Sequence, residues 1–248
     1  MLHRTSTSVE LKTATYEIPS NTPHPEFAIP TEVIDFVITE FSLNNPRHRV
    51  IDPFPGNARF LQRIRERGGR ADGIELDPQQ FAIGTEQLAL IKPGQFTAID
   101  GWTSGELKLG DCTKTTPNFM GSYSAIYTSP PFTLMHELAK ERHPYIAVAL
   151  YRMLHPEGVL IIDSADKALR NGRELTPALD TINYLTNAGK ASVDGLFSFV
   201  ASHKFTVTEP PNGCDGQFTE LVFVKRWPTY QDVLAAIATH KTVLPPTA

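Results

Sequence analysis

The sequence predicts an α/β fold in which helices cover both faces of a mostly parallel sheet. Short apolar runs alternate with segments of helical spacing along most of the chain, which is the pattern of βαβ units. Near the carboxyl end, two long apolar runs at 196–208 and 221–227 are separated only by a turn rich in Pro and Gly. These two runs predict an antiparallel strand pair at one side of the sheet.

Each element is predicted from its own local pattern. Apolar residues from Val33 to Phe41 recur with helical spacing, and Thr31 followed by Glu32 suits the start of that helix as N-cap and first-turn acid. Pro78 suits the first position of another helix. The predicted strands are 47–54, 71–76, 107–109, 124–128, 158–163, 196–208 and 221–227. The predicted helices are 31–41, 57–67, 78–91, 134–154, 175–188 and 230–240.

The predicted domain organisation is one catalytic domain at 31–228, between an amino-terminal arm at 1–30 and a carboxyl-terminal helix and tail at 229–248. The arm is polar, contains prolines and lacks periodicity, so we expect a mobile or draped segment. The 248 residues are enough for one large domain with a sizeable core.

Composition narrows the class of protein. Hydrophobic residues make up 41% and charged residues 20%, which is ordinary for a soluble chain, and the net charge of -4 leaves room only for a local basic face. Cys112 and Cys214 form no C-x-x-C pair, so neither a disulfide framework nor a metal site is expected. No apolar run reaches the roughly 18 residues of a membrane span, and 1–30 lacks a signal-peptide core. A reducing cytoplasm is the expected location, with no membrane partner.

Unusual residues follow four of the predicted strands. D-P-F-P-G-N comes after the first, Glu75 ends the next, Asp111 follows L-K-L-G, and T-S-P-P-F follows the run Y-S-A-I-Y. Ligands bind at the carboxyl ends of the strands in such sheets, and an acid about 20 residues beyond a glycine turn commonly binds ribose hydroxyls. Each motif also has an ordinary explanation as a turn, a solvated carboxylate or a helix cap. Their spacing on successive strands predicts one composite site.

The most specific motif is Thr128-Ser129-Pro130-Pro131-Phe132. Each proline fixes φ, removes a donor and keeps the preceding residue extended. The Ser129 side chain and the Pro130 carbonyl then form two acceptors aimed at one point. An exocyclic amine on a base ring is a poor nucleophile, and two acceptors on its two hydrogens favour a pyramidal nitrogen with a free lone pair. Phe132 suits stacking on a flipped base; the alternative is a proline-rich loop with a buried phenylalanine.

These motifs resemble a known family. T-S-P-P-F is similar to the S/T-S-P-P-Y/F catalytic motif of S-adenosylmethionine-dependent DNA amino-methyltransferases, especially those acting on cytosine N4; the adenine N6 enzymes more often have Asp or Asn in place of Ser129. R-V-I-D-P-F-P-G-N-A-R-F resembles V-L-D-P-F-x-G-S-G-T, and G-I-E-L-D-P-Q-Q-F resembles G-I-E-x-x-P-x-Y. The resemblance covers about half of the chain, and its motif order fits a sheet that is not permuted. It implies a Rossmann-like class I methyltransferase sheet.

The resemblance also implies S-adenosylmethionine as cofactor, no metal, and a set of contacts. The implied contacts are Asp52, Phe54 and Gly56 at the methionine end, with Pro53 and Asn57 in the same loop; Glu75 at the ribose hydroxyls, next to Leu76; Asp111 with Cys112 at the adenine edge; and Pro30 with Thr31 near the carboxylate.

The sequence departs from the family in the loop and in its contacts to nucleic acid. Asn57 and Ala58 replace the family's Ser and second Gly, and the lysine of H-P-x-x-K-P is absent. No long insertion resembles a target-recognition domain; the candidates are the arm, 94–106 and 210–216. Five arginines could face phosphates, with a solvated helix face as the alternative. They are Arg59, Arg63, Arg65, Arg67 and Arg70.

The sequence therefore predicts an enzyme that methylates the amino group of a flipped base, most favourably cytosine N4 in DNA, as in restriction-modification systems. Adenine N6 in DNA and an amino group in RNA are the enzymatic alternatives. A nucleic-acid-binding module that kept the fold and lost turnover is the other alternative; Ala58 favours it and T-S-P-P-F disfavours it. His136 is only a weak candidate for a general base.

Overall fold

The computed structural model describes residues 12–18, 29, 31–91, 105–114, 121–131, 134, 145–170, 173–186, 196–207 and 217–225. Its strands are β1 (Lys12–Ile18), β2 (Val50–Asp52), β3 (Ala71–Glu75), β4 (Leu107–Leu109), β5 (Tyr123–Thr128), β6 (Leu154–Ala165), β7 (Ala168–Arg170), β8 (Arg173–Leu175), β9 (Phe197–Val207) and β10 (Gln217–Lys225). Its helices are α1 (Thr31–Glu40), α2 (Arg59–Glu66), α3 (Pro78–Ala89), α4 (Tyr145–Met153) and α5 (Pro177–Thr186), with a short 3₁₀ helix at Cys112–Lys114.

Eight of the strands form one sheet in the order β1-β9-β10-β6-β5-β2-β3-β4. Strands β2 to β6 pair with one another in parallel, whereas β10 runs antiparallel to both β6 and β9. The chain proceeds from β2 to β3 and β4 on one side, and continues from β5 to β6 on the other. This arrangement creates a topological switch point between β2 and β5, where open α/β sheets bind ligands.

Apolar layers cover both faces of the sheet. One layer joins α1 and α2 to the sheet through residues such as Val37, Leu61 and Tyr127. The other joins α4 and α5 through residues such as Leu150 and, from β5, Ile126. Neighbouring residues of a strand point to opposite faces, and strands covered on both faces are apolar along nearly their whole length. The predicted fold class is confirmed: a mostly parallel sheet with an antiparallel carboxyl-terminal pair and helices on both faces.

The structure differs from the prediction at the arm and after β6. β1 lies within the predicted arm and pairs in parallel with β9, from Lys12 opposite Ala201 to Ile18 opposite Val207. A sheet edge recruits a strand through main-chain hydrogen bonds, which need no apolar periodicity. The hairpin of β7 and β8 was also not predicted, because each of its strands is only three residues long. The domain boundaries at 30 and 228 stay predictions.

Several predicted segments lie outside the described residues: the helix at 230–240, most of 94–106, the turn at 210–216, and the 134–154 helix apart from Leu134 and α4. The remaining strand and helix predictions are confirmed with shifted ends; β2, for example, is confined to Val50–Asp52. Within the described part of the chain, no helix combines the length and the apolar character that crossing a membrane requires.

Candidate active site

A cleft of about 1120 Å³ opens at the carboxyl ends of β2, β3, β4 and β5. Its size suits a small-molecule or cofactor site. Parallel neighbours end at the same edge of the sheet, so the four motifs of the sequence meet there. The residues singled out from the sequence that line it are Pro53, Phe54, Gly56, Glu75, Leu76, Asp111, Cys112, Ser129, Pro130 and Pro131.

The loop after β2 turns tightly because two residues adopt left-handed backbone conformations. Gly56 has φ 53° and Ala58 has φ 62°. This conformation is free of steric cost for glycine but costs an alanine about 1–2 kcal/mol. The Ala58 amide donates to the carbonyl of Pro55 at 2.8 Å, which closes the turn. Alanine thus forms the turn for which the resembled family has glycine.

Glu75 connects this loop to the start of α3. Its carboxylate is 8% exposed; Oε2 accepts from the Gly56 amide at 2.8 Å and Oε1 from the Asp77 amide at 2.7 Å. Asp77 in turn caps α3 by accepting from the amides of Gln79 and Gln80. A carboxylate has about four acceptor positions. Both oxygens of Glu75 therefore keep capacity for the hydroxyls of a ligand.

Asp52 and Thr128 lie beneath the cleft and do not line it. Asp52 is 4% exposed, and its Oδ1 accepts from the Thr128 hydroxyl at 2.7 Å and from the Phe54 amide at 3.0 Å. Burial raises the pKa of Asp52 to about 7; the charge of Glu75 adds to the rise, and the two hydrogen bonds oppose it. The bond between Asp52 and Thr128 holds the end of β2 against the end of β5. The cofactor contact at Asp52 and the catalytic role of Thr128 stay predictions.

Asp111 and Cys112 form the wall that follows β4. The Asp111 carboxylate accepts from the amide and the hydroxyl of Thr113 at 2.9 and 2.7 Å. Burial alone would raise the pKa of Asp111, but these bonds and the charge of Lys114 together outweigh burial. The pKa of Asp111 is therefore lowered, and the group is charged at neutral pH. Burial, with the charges of Asp111 and Glu75, raises the pKa of the Cys112 thiol to about 12. Cys112 is therefore an unreactive apolar contact.

The Ser129-Pro130-Pro131 corner follows β5 at the rim of the cleft. The Pro131 carbonyl accepts from the Leu134 amide at 2.9 Å, which fixes the exit of the corner. Among the described residues, neither the Ser129 hydroxyl nor the Pro130 carbonyl has a hydrogen-bond partner. Within that part of the chain, both acceptors are therefore available to a ligand. Phe132 and Pro30 lie outside the described residues.

Two further predicted contacts lie away from the cleft. Thr31 is the first residue of α1 and not its cap, and its hydroxyl accepts from the Arg59 guanidinium at 2.8 Å. The Asn57 carbonyl accepts from the Gln62 side chain at 3.0 Å. Neither residue lines the described cleft.

The cleft also contains residues that the sequence did not single out. Asp77 and Pro78 mark the start of α3. Because that start follows directly on the end of β3, the helix-start pattern could have indicated that both residues lie at the cleft. Leu134 and Ile146 are apolar residues of helical segments, and nothing in their sequence context separates them from core residues. The full additional set is Ile74, Asp77, Pro78, Gln79, Gln80, Gly110, Thr113, Leu134 and Ile146.

The arginines in and just after α2 contact other residues of the protein itself. Arg63 contacts Asp35 of α1 at 2.6 Å, and Arg67 contacts the same carboxylate at 3.1 Å. Arg59 and Arg65 donate to main-chain oxygens at 3.1 Å. These four arginines connect α2 to the segments packed beside it, while Arg67 stays exposed. The phosphate-facing and the solvated interpretations of these arginines both stay predictions. In the described part of the chain, no group of three or more His, Cys, Asp or Glu side chains is placed to hold a metal.

No protein-family model and no curated protein matches this sequence. Solved structures match it through the fold. An S-adenosylmethionine-dependent methyltransferase of Methanosarcina mazei is 13% identical, with 77% of this chain and 98% of that chain covered and a TM-score of 0.54. A putative O-methyltransferase of Klebsiella pneumoniae is 11% identical, with 82% and 84% covered and a TM-score of 0.55. The cyclase SpnF is 13% identical, with 79% and 81% covered and a TM-score of 0.56.

The chain has the Rossmann-like class I methyltransferase fold. At these identities the likeness shows the fold alone. A cyclase stands among the matching structures, so the fold does not fix the reaction, which has to be argued from the residues of the cleft.

Proposed function

We propose that this protein is an S-adenosylmethionine-dependent methyltransferase that modifies the exocyclic amino group of a flipped base, with cytosine N4 in DNA as the favoured target. One observation carries the proposal: the Ser129-Pro130 acceptors and the Glu75 and Asp111 carboxylates line one cleft at the switch point of the sheet. A catalytic motif and a nucleoside-binding motif within reach of each other are what methyl transfer to an amino group needs.

The walls of the cleft fit the proposed cofactor. The Glu75 carboxylate, held by two main-chain amides, is oriented for ribose hydroxyls. Ile74, Cys112 and Ile146 supply apolar surface for a purine ring, beside the charged Asp111. When bound, S-adenosylmethionine would supply an electrophilic methyl group on a positively charged sulfur. That charge is compatible with a cleft whose ionisable side chains are acidic.

The corner after β5 would orient the nucleophile. The Ser129 hydroxyl and the Pro130 carbonyl would each accept one hydrogen of the amino group and direct the nitrogen lone pair into the cleft. The chemistry that the cofactor would supply there is methyl transfer: the amino nitrogen would gain the methyl carbon, sulfur would keep the electron pair of the carbon–sulfur bond, and the nitrogen would give up one proton. Alignment of the reacting atoms contributes most of the effect. Thr128 and Asp52 would hold the corner in register with the loop after β2.

The alternatives remain separable by experiment. Ser129 favours cytosine N4 over adenine N6 only through the family resemblance. The non-catalytic alternative relied on Ala58, yet Ala58 forms the left-handed turn that the loop requires. That geometry removes the main reason to expect a loss of turnover.

Nucleoside analysis tests the proposal directly. Duplex DNA, single-stranded DNA and RNA would each be incubated with the protein and labelled cofactor, digested to nucleosides and examined by mass spectrometry. We expect N4-methylcytosine from DNA. N6-methyladenine or a methylated ribonucleoside would instead establish the corresponding alternative. Cofactor binding without any methylated nucleoside would favour the non-catalytic module.

Ser129→Ala tests the role of the corner. An acceptor used mainly in the transition state lowers kcat and leaves ground-state affinity nearly unchanged. We expect single-turnover transfer to slow by about 10²–10³-fold, with cofactor affinity and thermal stability preserved. Phe132→Ala is the matched comparison, because it should weaken base capture by about 1–3 kcal/mol. Transfer by Ser129→Ala at the wild-type rate would leave the serine as a turn residue only.

A further inference from the structure

The first turn of α4 forms part of the cleft wall. Ile146 is the second residue of that helix, and it lines the cleft together with Ile74 and Cys112. All three residues belong to one cluster of buried apolar side chains. They form the surface proposed above for a purine ring. The position of the helix start therefore sets where this wall of the cleft lies.

The start of α4 needs hydrogen-bond acceptors from outside the helix. The first four amides of any α-helix have no acceptor within it, and a side chain at the N-cap usually accepts from the second or the third of them. In α4 these are the amides of Ile146 and Ala147. The sequence has proline at 144, directly before the helix, and proline has no side-chain acceptor. The cap for these amides therefore has to come from another source.

Tyr184 of α5 supplies that cap. The Ala147 amide donates to the phenolic oxygen of Tyr184 at 3.1 Å, although the two residues are 37 positions apart in the chain. Burial raises the pKa of Tyr184, and hydrogen bonds from the amides of Ala147 and Ile146 oppose that rise. The phenol is therefore neutral at physiological pH. Because Tyr184 is only 4% exposed, water does not readily replace its oxygen.

A second buried hydroxyl on α5 makes no such contact. Thr181 lies three residues before Tyr184, on the same side of the helix, and is 0% exposed. Within the described part of the chain, its hydroxyl has no hydrogen-bond partner. Of these two hydroxyls, the one that reaches the start of α4 is thus that of Tyr184.

We infer that Tyr184 is a positioning residue for the purine end of the cofactor site, because its bond to α4 holds the Ile146 wall in place. This inference rests on the proposed S-adenosylmethionine site. Tyr184 does not line the described cleft, so it acts on the cofactor through α4. When the cap is lost, water competes for the two amides and the first turn opens more often. The apparent affinity of a ligand falls with the fraction of protein that is competent to bind it.

Tyr184→Phe tests the inference, because phenylalanine keeps the buried ring and removes only the oxygen. Titration calorimetry would measure the binding of S-adenosylmethionine and of adenosine. We expect both affinities to fall about 3–10-fold, the scale for losing one hydrogen bond. Adenosine should lose as much as the whole cofactor, since the wall is the proposed purine surface. A fall limited to S-adenosylmethionine would overturn the assignment to the purine end.

Hydrogen exchange of the ligand-free proteins separates positioning from a general loss of stability. Amides at 145–148 should exchange about 3–10-fold faster in Tyr184→Phe than in wild type. This increase should exceed any increase in the central strand β5, which reports global unfolding. An equal increase in both segments, or none at the start of α4, would overturn the inference. Should the variant melt early, wild type decides: adenosine should slow exchange at 145–148, and unchanged exchange there would contradict the inference.

Thr181→Val is the matched control. It removes a hydroxyl from the same helix at an equally buried position, and a methyl group of similar size takes its place. Cofactor affinity and exchange at the start of α4 should both keep their wild-type values. A loss equal to that of Tyr184→Phe would show a general response to changes in α5 and would also overturn the inference.

The failure of this inference and the failure of the proposed function are distinguishable. If wild type methylates DNA and Tyr184→Phe binds the cofactor as tightly as wild type, the inference falls and the proposed function stands. If Tyr184→Phe loses affinity as expected but no nucleoside is methylated, the inference stands and the proposed methyl transfer falls. If wild type binds neither S-adenosylmethionine nor adenosine, both fall.

Discussion

Three acids of the candidate site have similar positions in the chain but different environments. Asp52, Glu75 and Asp111 each follow or end a strand of the parallel half of the sheet. Asp52 is buried beneath the loop after β2, Glu75 spans two main-chain amides, and Asp111 is held by Thr113. The three acids thus differ in position: Asp52 lies beneath the cleft, whereas Glu75 and Asp111 line its wall.

Glu75→Ala should weaken S-adenosylmethionine binding by about 1–3 kcal/mol, the scale for losing a buried charged hydrogen-bond partner. Titration calorimetry measures the change. Glu86→Ala, at an exposed position of α3, is the control and should bind normally. Wild-type affinity in a folded Glu75→Ala protein would remove Glu75 from the site.

Asp52→Asn should change how stability depends on pH. The folded pKa of Asp52 is raised from 3.8 to about 7, so its contribution to stability is fully present below about pH 4 and is lost as pH rises toward 7 and beyond. The full loss is about 4 kcal/mol. An amide keeps the oxygen that accepts from Thr128 but cannot ionise. Denaturant unfolding of the ligand-free proteins measures this effect between pH 5 and 8. As pH rises, the free energy of unfolding of Asp52→Asn should increase relative to that of wild type. Parallel pH profiles of the two proteins would contradict the buried-acid assignment.

At the scale of elements, β3 supports the loop of the cleft by having no side chain at Gly73. A Cβ there would lie 2.8 Å from Leu61, 2.9 Å from Leu107 and 3.2 Å from Pro55. These three residues belong to α2, to the neighbouring strand β4 and to the loop itself. The absence of a side chain at Gly73 therefore lets α2, β4 and the loop of the cleft pack closely against β3.

Gly73→Ala should destabilise the protein by about 1–3 kcal/mol, the cost of overpacking a close-packed core. Thermal and denaturant unfolding measure it. Gly110→Ala is a matched control in the same region, since its Cβ would meet only Ile74 at 3.8 Å. Equal stability of the two variants would show that the side chains around Gly73 can move to accommodate a methyl group without a cost in stability.

At the scale of the whole molecule, a row of four polar side chains, three of them buried, crosses four neighbouring strands. Tyr127 of β5 donates to Asp163 of β6, Asp163 is opposite Glu220 of β10, and Glu220 binds His203 of β9 at 2.7 Å. Burial and the charge of Glu220 raise the pKa of Asp163, although the bond from Tyr127 opposes this. The bond to Glu220 raises the pKa of His203. The sheet thus contains two adjacent carboxyl groups for which full ionisation is unfavourable.

Asp163→Asn should stabilise the protein increasingly as pH rises. A folded pKa above the unfolded value means that the contribution of Asp163 is greatest below about pH 4 and declines as it ionises. The amide oxygen still accepts from Tyr127. The charged or titratable groups around this row are Asp52, Arg59, Glu32, Glu40, Tyr127, His203 and Glu220. Unfolding at pH 5 and pH 9 measures the effect, and a constant difference between variant and wild type would refute it.

The sequence alone predicted those features that depend on the order of residues within a short segment. Alternating apolar runs predicted the strands and helices of the sheet, and punctuated strand ends predicted the edge at which the cleft lies, because parallel strands must end together. Glu75, Asp111 and the Ser129 corner follow from that rule alone. Element ends were less accurate: β2 covers only three residues of the strand predicted at 47–54.

Only the tertiary structure decided which residues face the cleft and which lie beneath it. Asp52 and Thr128 carry the residue types of a site, yet both are buried beneath the cleft and bind each other. The arginines of α2 have the spacing of a basic stripe, yet Asp35 lies on the neighbouring helix and binds two of them. β1 is likewise set by a pairing partner distant in the chain. Contacts between segments far apart in sequence determine burial, and burial decides whether a polar side chain supports the fold or remains free to bind.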